Sequence, residues 1–141
     1  MTKNENEIRW DFKWDSRFKS YDNRSFTFEN TGHVDAPIKL EIGGYVINPK
    51  FEVYVNKNKI FELAIDETLE EYEKILYSTK DDDLYIYKEN QDGTLTNYFD
   101  YLDINNINFV KLPRGVCEIR LSADSDITNA KLTVYLEYKA V

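Results

Sequence analysis

The sequence predicts an all-β protein, specifically an antiparallel β-sandwich of the jelly-roll kind with an N-terminal extension. Three observations lead to this expectation. Apolar and polar residues alternate with a period of two in most segments, which is typical of strands that bury one face. These segments are short and about ten in number. Turn-forming residues separate them at fairly regular intervals, and no internal repeat or linker interrupts the series.

The segment 36–55 shows the alternation most clearly. Apolar residues alternate with polar ones in 38–42 and again in 51–55. Between these runs lie Gly43-Gly44 and Asn48-Pro49, and both pairs suit a connection better than a central strand, since glycine tolerates positive φ and proline lacks a ladder donor. The sequence therefore predicts two half-buried strands joined by a fixed corner.

The N-terminal part has two distinct stretches. Residues 1–7 are polar and are expected to form a disordered segment or an arm. In 8–18, Trp10, Phe12 and Trp14 alternate with charged residues, which predicts a strand. Two interpretations remain open: a strand in the domain's own sheet, or an edge strand or arm that pairs with a neighbouring subunit by strand addition.

The rest of the chain continues the strand pattern. Further strands are expected at 25–29, 59–65, 83–88, 94–102, 116–123 and 132–138, and turns at 30–32, 56–58, 80–83, 91–93, 113–115 and 124–126. The stretch 66–78 is ambiguous, because its glutamate and leucine content favours a helix whereas its alternation also fits a strand. The surrounding strand pattern favours the strand.

One face of these strands is expected to form the core. The residues assigned to it are Ile38, Leu40, Ile42, Phe51, Val53, Val55, Ile119, Leu121, Leu132, Val134 and Leu136. Cys117 alternates in phase with the apolar residues of its strand, so we interpret it as a buried core thiol.

Composition limits the possible partners. The chain has 141 residues, which suffices for one domain with a core that needs no disulfide or metal. Its net charge is −8, and a field of that sign repels nucleic acid and anionic membranes. A single cysteine precludes an intrachain disulfide and fits a reducing cytoplasm. We expect neither a cleaved signal peptide nor a membrane span, because no apolar run reaches the required length.

The sequence contains no recognisable catalytic or cofactor motif. His33 is the only histidine, so any histidine-based nucleophilic site must use it. The acidic clusters do not match a calcium-loop pattern, and the glycines form no phosphate loop. Glu70 with Glu71, or Asp100 with Asp103, are weak candidates for a glycosidase pair. We therefore expect no enzyme, no cofactor and no metal site.

Five tyrosines leave another alternative open. They are Tyr54, Tyr85, Tyr87, Tyr98 and Tyr101. They are candidates for an aromatic platform under a sugar ring, or for packing and subunit contacts, which we favour.

A series of short features from Asn30 onward has a recognisable order. They are Asn30-Thr31-Gly32, Ala36-Pro37-Ile38, the strand 39–42, Gly44, Asn48-Pro49, the strand 59–65, Glu71-Tyr72 opening a strand that ends at Ser78-Thr79, Asp92-Gly93, the tyrosine-rich segment 97–103, Phe109, Leu112-Pro113-Arg114-Gly115, and the strands 116–121 and 132–138. In this order they resemble the C-terminal, galectin-like domain of phage distal tail proteins and related siphophage-type tail components.

The resemblance implies a specific organisation and role. Residues 25–141 would form a galectin-like β-sandwich domain and 1–24 an N-terminal arm or edge strand. It also favours a strand at 72–79. The implied function is a non-enzymatic structural component of the tail or baseplate of a phage or phage-tail-like particle, assembled in the bacterial host cytoplasm. The alternative is a carbohydrate-binding module that recognises host cell-surface glycans.

The implied partners are other tail or baseplate proteins, with a homo-oligomer inside the particle. Distal tail proteins also carry an N-terminal belt domain that forms a hexameric ring. Only a short segment precedes the match here, so ring formation is not carried over. We expect the aromatic residues of that segment, namely Trp10, Phe12, Trp14 and Phe18, to carry an assembly contact, because large apolar side chains are costly to leave in water.

Overall fold

The computed structural model describes residues 3–12, 24–98, 109–127 and 129–139, and the regular elements of this part are strands without any helix. The strands are β1 (Lys3–Phe12), β2 (Arg24–Asn30), β3 (Ile38–Gly43), β4 (Val46–Ile47), β5 (Lys50–Val55), β6 (Asn58–Ala64), β7 (Thr68–Leu69), β8 (Lys74–Lys80), β9 (Asp83–Glu89), β10 (Leu95–Asn97), β11 (Gly115–Ser122) and β12 (Asn129–Lys139). No helix in the described residues has the length and apolarity that crossing a membrane requires.

The strands form two main sheets, in which every pairing is antiparallel. The larger sheet has six strands in the order β1-β12-β3-β8-β9-β10, and the smaller has four in the order β2-β11-β5-β6. Strands β4 and β7 form a separate two-stranded sheet. The all-β sandwich predicted from the period-two pattern is confirmed.

Aromatic rings join the two main sheets. The ring of Phe61, on β6 of the smaller sheet, stacks on that of Tyr77, on β8 of the larger sheet, with centroids 6.0 Å apart. Phe109 stacks on Tyr77 at 5.9 Å, and Phe51 meets the edge of Phe61 at 6.3 Å. Such contacts add to the burial of apolar area, so this row of rings forms the centre of the core.

The predicted core residues are buried with one exception. Val55 is only partly buried, although the alternation assigns it to the same face as Val53. The register of the β5–β6 pair shifts between Val53 and Tyr54, and this irregularity interrupts the period of two. A tight hairpin turn follows at once. Its two central residues, Asn56 and Lys57, have positive φ values of 51° and 67°, as a type I′ turn requires.

The ambiguous stretch 66–78 contains no helix. It forms β7, a turn, and the start of β8 at Lys74, two positions later than the strand implied at 72–79. The N–H of Glu73 donates to the carbonyl oxygen of Glu70 at 2.9 Å, so Tyr72 lies in a closed turn and not in the strand.

At the N-terminus, β1 begins at Lys3, inside the segment expected to be disordered or an arm. It pairs with β12 and forms an edge of the larger sheet, with Trp10 opposite Leu132 and Phe12 opposite Ala130. Strands pair through backbone hydrogen bonds, which do not require apolar side chains. The polar residues at the start of β1 therefore form a strand that the alternation pattern does not reveal. At the opposite edge, β10 covers the first part of the strand expected at 94–102, and residues 99–108 lie outside the described part.

Candidate functional site

The four aromatic residues expected to carry an assembly contact fall into two groups. Trp10 and Phe12 belong to β1, at the edge of the six-stranded sheet. Trp14 and Phe18 lie outside the described residues. The contact itself therefore stays a prediction.

Of the five tyrosines considered as a sugar platform, the four that the structure describes do not come together. Tyr85 and Tyr87 stack on β9, with ring centroids 5.0 Å apart and planes 13° apart. Tyr54 lies on the other sheet, where the guanidinium of Arg120 sits 4.0 Å from its ring centroid. Tyr98 is buried, and Tyr101 lies outside the described part. The pair on β9 is the part of the platform that the described residues retain.

Neither His33 nor Cys117 has the surroundings of a nucleophilic site. His33 is exposed, and its ring meets the edge of Tyr138 with centroids 5.6 Å apart. Cys117 is 2% exposed, which confirms the predicted buried thiol, and burial raises the pKa of this thiol to about 11. The sulfur is therefore protonated at neutral pH and is a poor nucleophile. The described residues also contain no cluster of three or more potential metal ligands.

Lys88 forms ion pairs with two glutamates. The ammonium of Lys88 contacts the carboxylates of Glu67 and, at 3.1 Å, Glu73. Hydrogen bonds to these carboxylates, chiefly that to Glu67, raise the pKa of Lys88. Burial alone would raise the pKa of Glu67, but hydrogen bonds from Lys88 and the Tyr98 hydroxyl outweigh it and lower that pKa. The pKa of Glu73 is lowered chiefly by the hydrogen bond from the Glu70 N–H, and further by the hydrogen bond from Lys88. All three groups stay ionised at neutral pH, so the cluster ties neighbouring segments together.

A groove that contains two exposed tyrosines lies where β3, β8 and β12 meet the β4–β7 sheet. We call it the Tyr45–Tyr72 groove. Its volume is about 670 Å³, and the side chains of Tyr45 and Tyr72 are 50% and 66% exposed. The other lining residues are Gly44, Glu71, Lys74, Ser125, Asp126 and Asn129.

The β4–β7 sheet places the two tyrosines near each other. Tyr45 directly precedes β4, and the turn that carries Tyr72 directly follows β7, the antiparallel partner of β4. Two hydrogen bonds fix that turn: the Glu73 N–H donates to the Glu70 carbonyl, and the Glu70 N–H donates to Glu73 Oε1 at 2.7 Å. These bonds fix the backbone of the turn from which the Tyr72 side chain lines the groove.

A loop between β11 and β12 forms the opposite wall. The N–H of Ile47 donates to Ser125 Oγ at 2.8 Å, and the N–H of Asp124 donates to the Ile47 carbonyl oxygen at 2.8 Å. These bonds attach the loop to β4. Next to them, Asp126 Oδ1 is shielded from solvent and receives no hydrogen bond within the described residues. Buried carboxylate oxygens normally accept hydrogen bonds, so this atom is an unused acceptor beside the groove.

Gly43 allows the side chains at the base of the groove to approach each other. It lies in register between Lys74 of β8 and Asn129 of β12. A Cβ atom at Gly43 would lie 3.2 Å from Lys74 Cγ and 3.8 Å from Asn129 Nδ2. The ammonium of Lys74 lies 3.2 Å from the carboxylate of Glu41, so its charge is already paired.

The groove is not among the sites predicted from the sequence. Its lining comes from three separate parts of the chain, which only long-range pairing brings together: 44–45, then 71–72 with Lys74, then 125–126 with Asn129. The available signals were weak. Tyr45 follows a glycine of positive φ at a corner, and Tyr72 stands among glutamates in a turn. An aromatic residue inside a polar turn is unusual enough to be noted as a candidate contact.

Comparisons with known proteins give one structural similarity. No family model matches the sequence, and no curated protein matches it at a significant level. Among solved structures, the chain is similar to part of one described as "Structure of the Phage P2 Baseplate in its Activated Conformation with Ca", with 15% identity and a TM-score of 0.47. The similarity covers 94% of this chain and 36% of that chain, so this protein spans about a third of that chain's length.

Proposed function

We propose that the protein is a non-enzymatic structural component of the tail or baseplate of a phage or phage-tail-like particle. The observation that carries the proposal is the order of the sequence features from Asn30 to Tyr138, which resembles the C-terminal, galectin-like domain of distal tail proteins. In this proposal residues 25–141 are the galectin-like domain, and 1–24 are an arm or edge strand.

The structural positions of these features support the proposal. Asn48 and Gly44 have φ values of 50° and 76° at the corner before β5. Gly93 has a φ of 87° in the turn before β10, and Gly115 has a φ of 90° at the start of β11. Positive φ values favour glycine or asparagine, which explains why these residue types stand at these positions of the sandwich. Shared motifs of this kind indicate a shared fold, and the role follows as an analogy.

The chemistry of the described residues supports a role without catalysis. The Cys117 thiol is buried and protonated at neutral pH. Glu70 and Glu71, considered as a glycosidase pair, are both exposed at a turn. Asp100 and Asp103 lie outside the described residues.

The proposed partners are other tail or baseplate proteins and further copies of this chain within the particle. The proposed location is the virion tail or baseplate, with assembly in the host cytoplasm. Trp10, Phe12, Trp14 and Phe18 are proposed to carry part of the contact. Strand β1 supports this, because an edge strand is where a sheet meets a neighbouring chain.

The proposal is tested by quantitative mass spectrometry of density-purified particles released by the strain that encodes the protein. We expect a constant ratio of this protein to the major tail protein across the particle fractions. An abundant host cytoplasmic protein serves as the control for contamination. If the protein follows that control and not the tail protein, the proposal is wrong.

A further inference from the structure

We infer that the Tyr45–Tyr72 groove binds a neutral saccharide. This inference goes beyond the assembly role, and it does not depend on that role, since it concerns the groove alone. The aromatic residues involved differ from the five tyrosines that the sequence brings to attention.

The two tyrosine rings provide the apolar part of such a site. At 50% and 66% exposure, Tyr45 and Tyr72 leave much of their ring surface in water, although each belongs to a segment fixed by pairing or hydrogen bonds. A sugar ring presents one face of C–H groups, and stacking that face on a tyrosine removes apolar area from water on both sides. Because the tyrosines are already positioned, little ordering cost is paid on binding.

The polar lining matches a ligand rich in hydroxyl groups. A hydroxyl both donates and accepts hydrogen bonds, so it needs acceptors and donors side by side. Glu71 and Asp126 provide carboxylate acceptors, and the Asn129 amide provides both a donor and an acceptor. Asp126 also has a shielded oxygen, Oδ1, that receives no hydrogen bond within the described residues and so remains available to a donor.

The charge of the lining selects against anionic ligands. The lining contains two carboxylates, those of Glu71 and Asp126, and one ammonium group, that of Lys74, which is already paired with Glu41. A phosphate or carboxylate ligand would therefore meet repulsion, and the described lining residues offer no free cation to offset it. A neutral sugar avoids that repulsion.

The size of the groove fits a short saccharide. Its volume of about 670 Å³ lies in the range of ordinary small-molecule sites. The groove is partly open to solvent, which leaves room for a chain of sugars that extends past the two tyrosines. We therefore expect di- to tetrasaccharides to bind better than single sugars.

The test starts with an array of neutral di- to tetrasaccharides built from glucose, galactose and N-acetylglucosamine. Hits are then titrated into the full-length ¹⁵N-labelled protein and followed by NMR. We expect saturable shifts that concentrate in 44–47, 71–74 and 124–129. Tyr72→Ala and Asp126→Asn should each weaken binding about tenfold. Circular dichroism verifies that each variant remains folded.

The matched control is Tyr85→Ala, a tyrosine of β9 that is not among the lining residues of the groove, which should leave affinity unchanged. Three results would overturn the inference. The first is no saturable binding by any saccharide at tens of millimolar concentration. The second is binding that Tyr85→Ala abolishes and Tyr72→Ala leaves intact. The third is binding of tetramethylammonium chloride at the groove in the absence of any saccharide binding, which would identify a cation site.

Discussion

The side-chain amide of Asn30 donates a hydrogen bond to the carbonyl oxygen of Leu112 at 3.0 Å, across 82 positions of the sequence. The same amide nitrogen donates to the Val34 carbonyl oxygen at 3.0 Å, and Asn30 Oδ1 accepts from the Gly32 N–H at 2.8 Å. Ala36 and Leu112 exchange two backbone hydrogen bonds beside this contact. The Asn-x-Gly motif thus joins the end of β2 to the segment that precedes β11.

Replacing Asn30 with alanine should therefore destabilise the fold. The change removes three hydrogen bonds, of which those to Leu112 and Gly32 are buried, and within the described residues only the Leu112 carbonyl oxygen keeps another partner, the Ala36 N–H. We therefore expect a loss of about 2–4 kcal/mol. Urea unfolding measures it. Asn58→Ala, at an exposed position, is the control and should stay within about 0.5 kcal/mol of the original protein. Equal effects of the two changes would contradict the role given to Asn30.

Tyr77 makes a second buried hydrogen bond whose contribution to stability a variant can measure. Its ring is fully buried between two aromatic rings, and its hydroxyl oxygen accepts the Val110 N–H at 3.0 Å. Tyr77→Phe keeps the stacking but removes that acceptor, so we expect a loss of about 1–3 kcal/mol in thermal or urea unfolding. Tyr72→Phe, at an exposed ring, is the matched control and should change little. A neutral result for Tyr77→Phe would mean that water replaces the lost acceptor.

The Lys88 cluster predicts a dependence of stability on pH. The pKa values of Glu67 and Glu73 are lowered in the folded state, so their pairing stabilises the fold above the unfolded pKa of about 4.3. This stability is lost as the pH falls through the lowered, folded pKa values. Lys88→Gln should therefore cost about 1–2 kcal/mol at pH 7 and much less at pH 3, as measured by urea unfolding at both values. Lys57→Gln, at an exposed turn, should show no such pH-dependent difference. A constant difference across the pH range would contradict the ion-pair explanation.

The N-terminal segment predicts separate effects on folding and assembly. Strand β1 pairs only with β12 in the described sheet, so its removal leaves the other strand pairs in place. A variant that lacks residues 1–19 is expected to fold but to be absent from particles, as followed by circular dichroism and by mass spectrometry of particles. Unfolding of the variant would instead assign Trp10 and Trp14 to the chain's own core. Normal incorporation would rule out the contact.

The sequence predicts the strands well because alternation is a local property. It fails at Val55, where a register shift interrupts the period, and at Tyr72, where a turn closed by Glu73 delays β8. Both effects depend on hydrogen bonds that composition does not reveal. The Tyr45–Tyr72 groove is harder still to predict from the sequence. Three separate segments line it, and only pairing across the larger sheet brings them together.

The central proposal is a structural role in a phage tail or tail-like particle, and cryo-electron microscopy of intact particles tests it most directly. The maps are compared between particles with the complete protein and particles from a strain in which its gene is deleted. We predict density at the tail or baseplate that fits a six-stranded sheet packed on a four-stranded sheet, in copies related by the symmetry of the particle, and that disappears with the gene. Identical tail and baseplate density in the two maps would contradict the proposal.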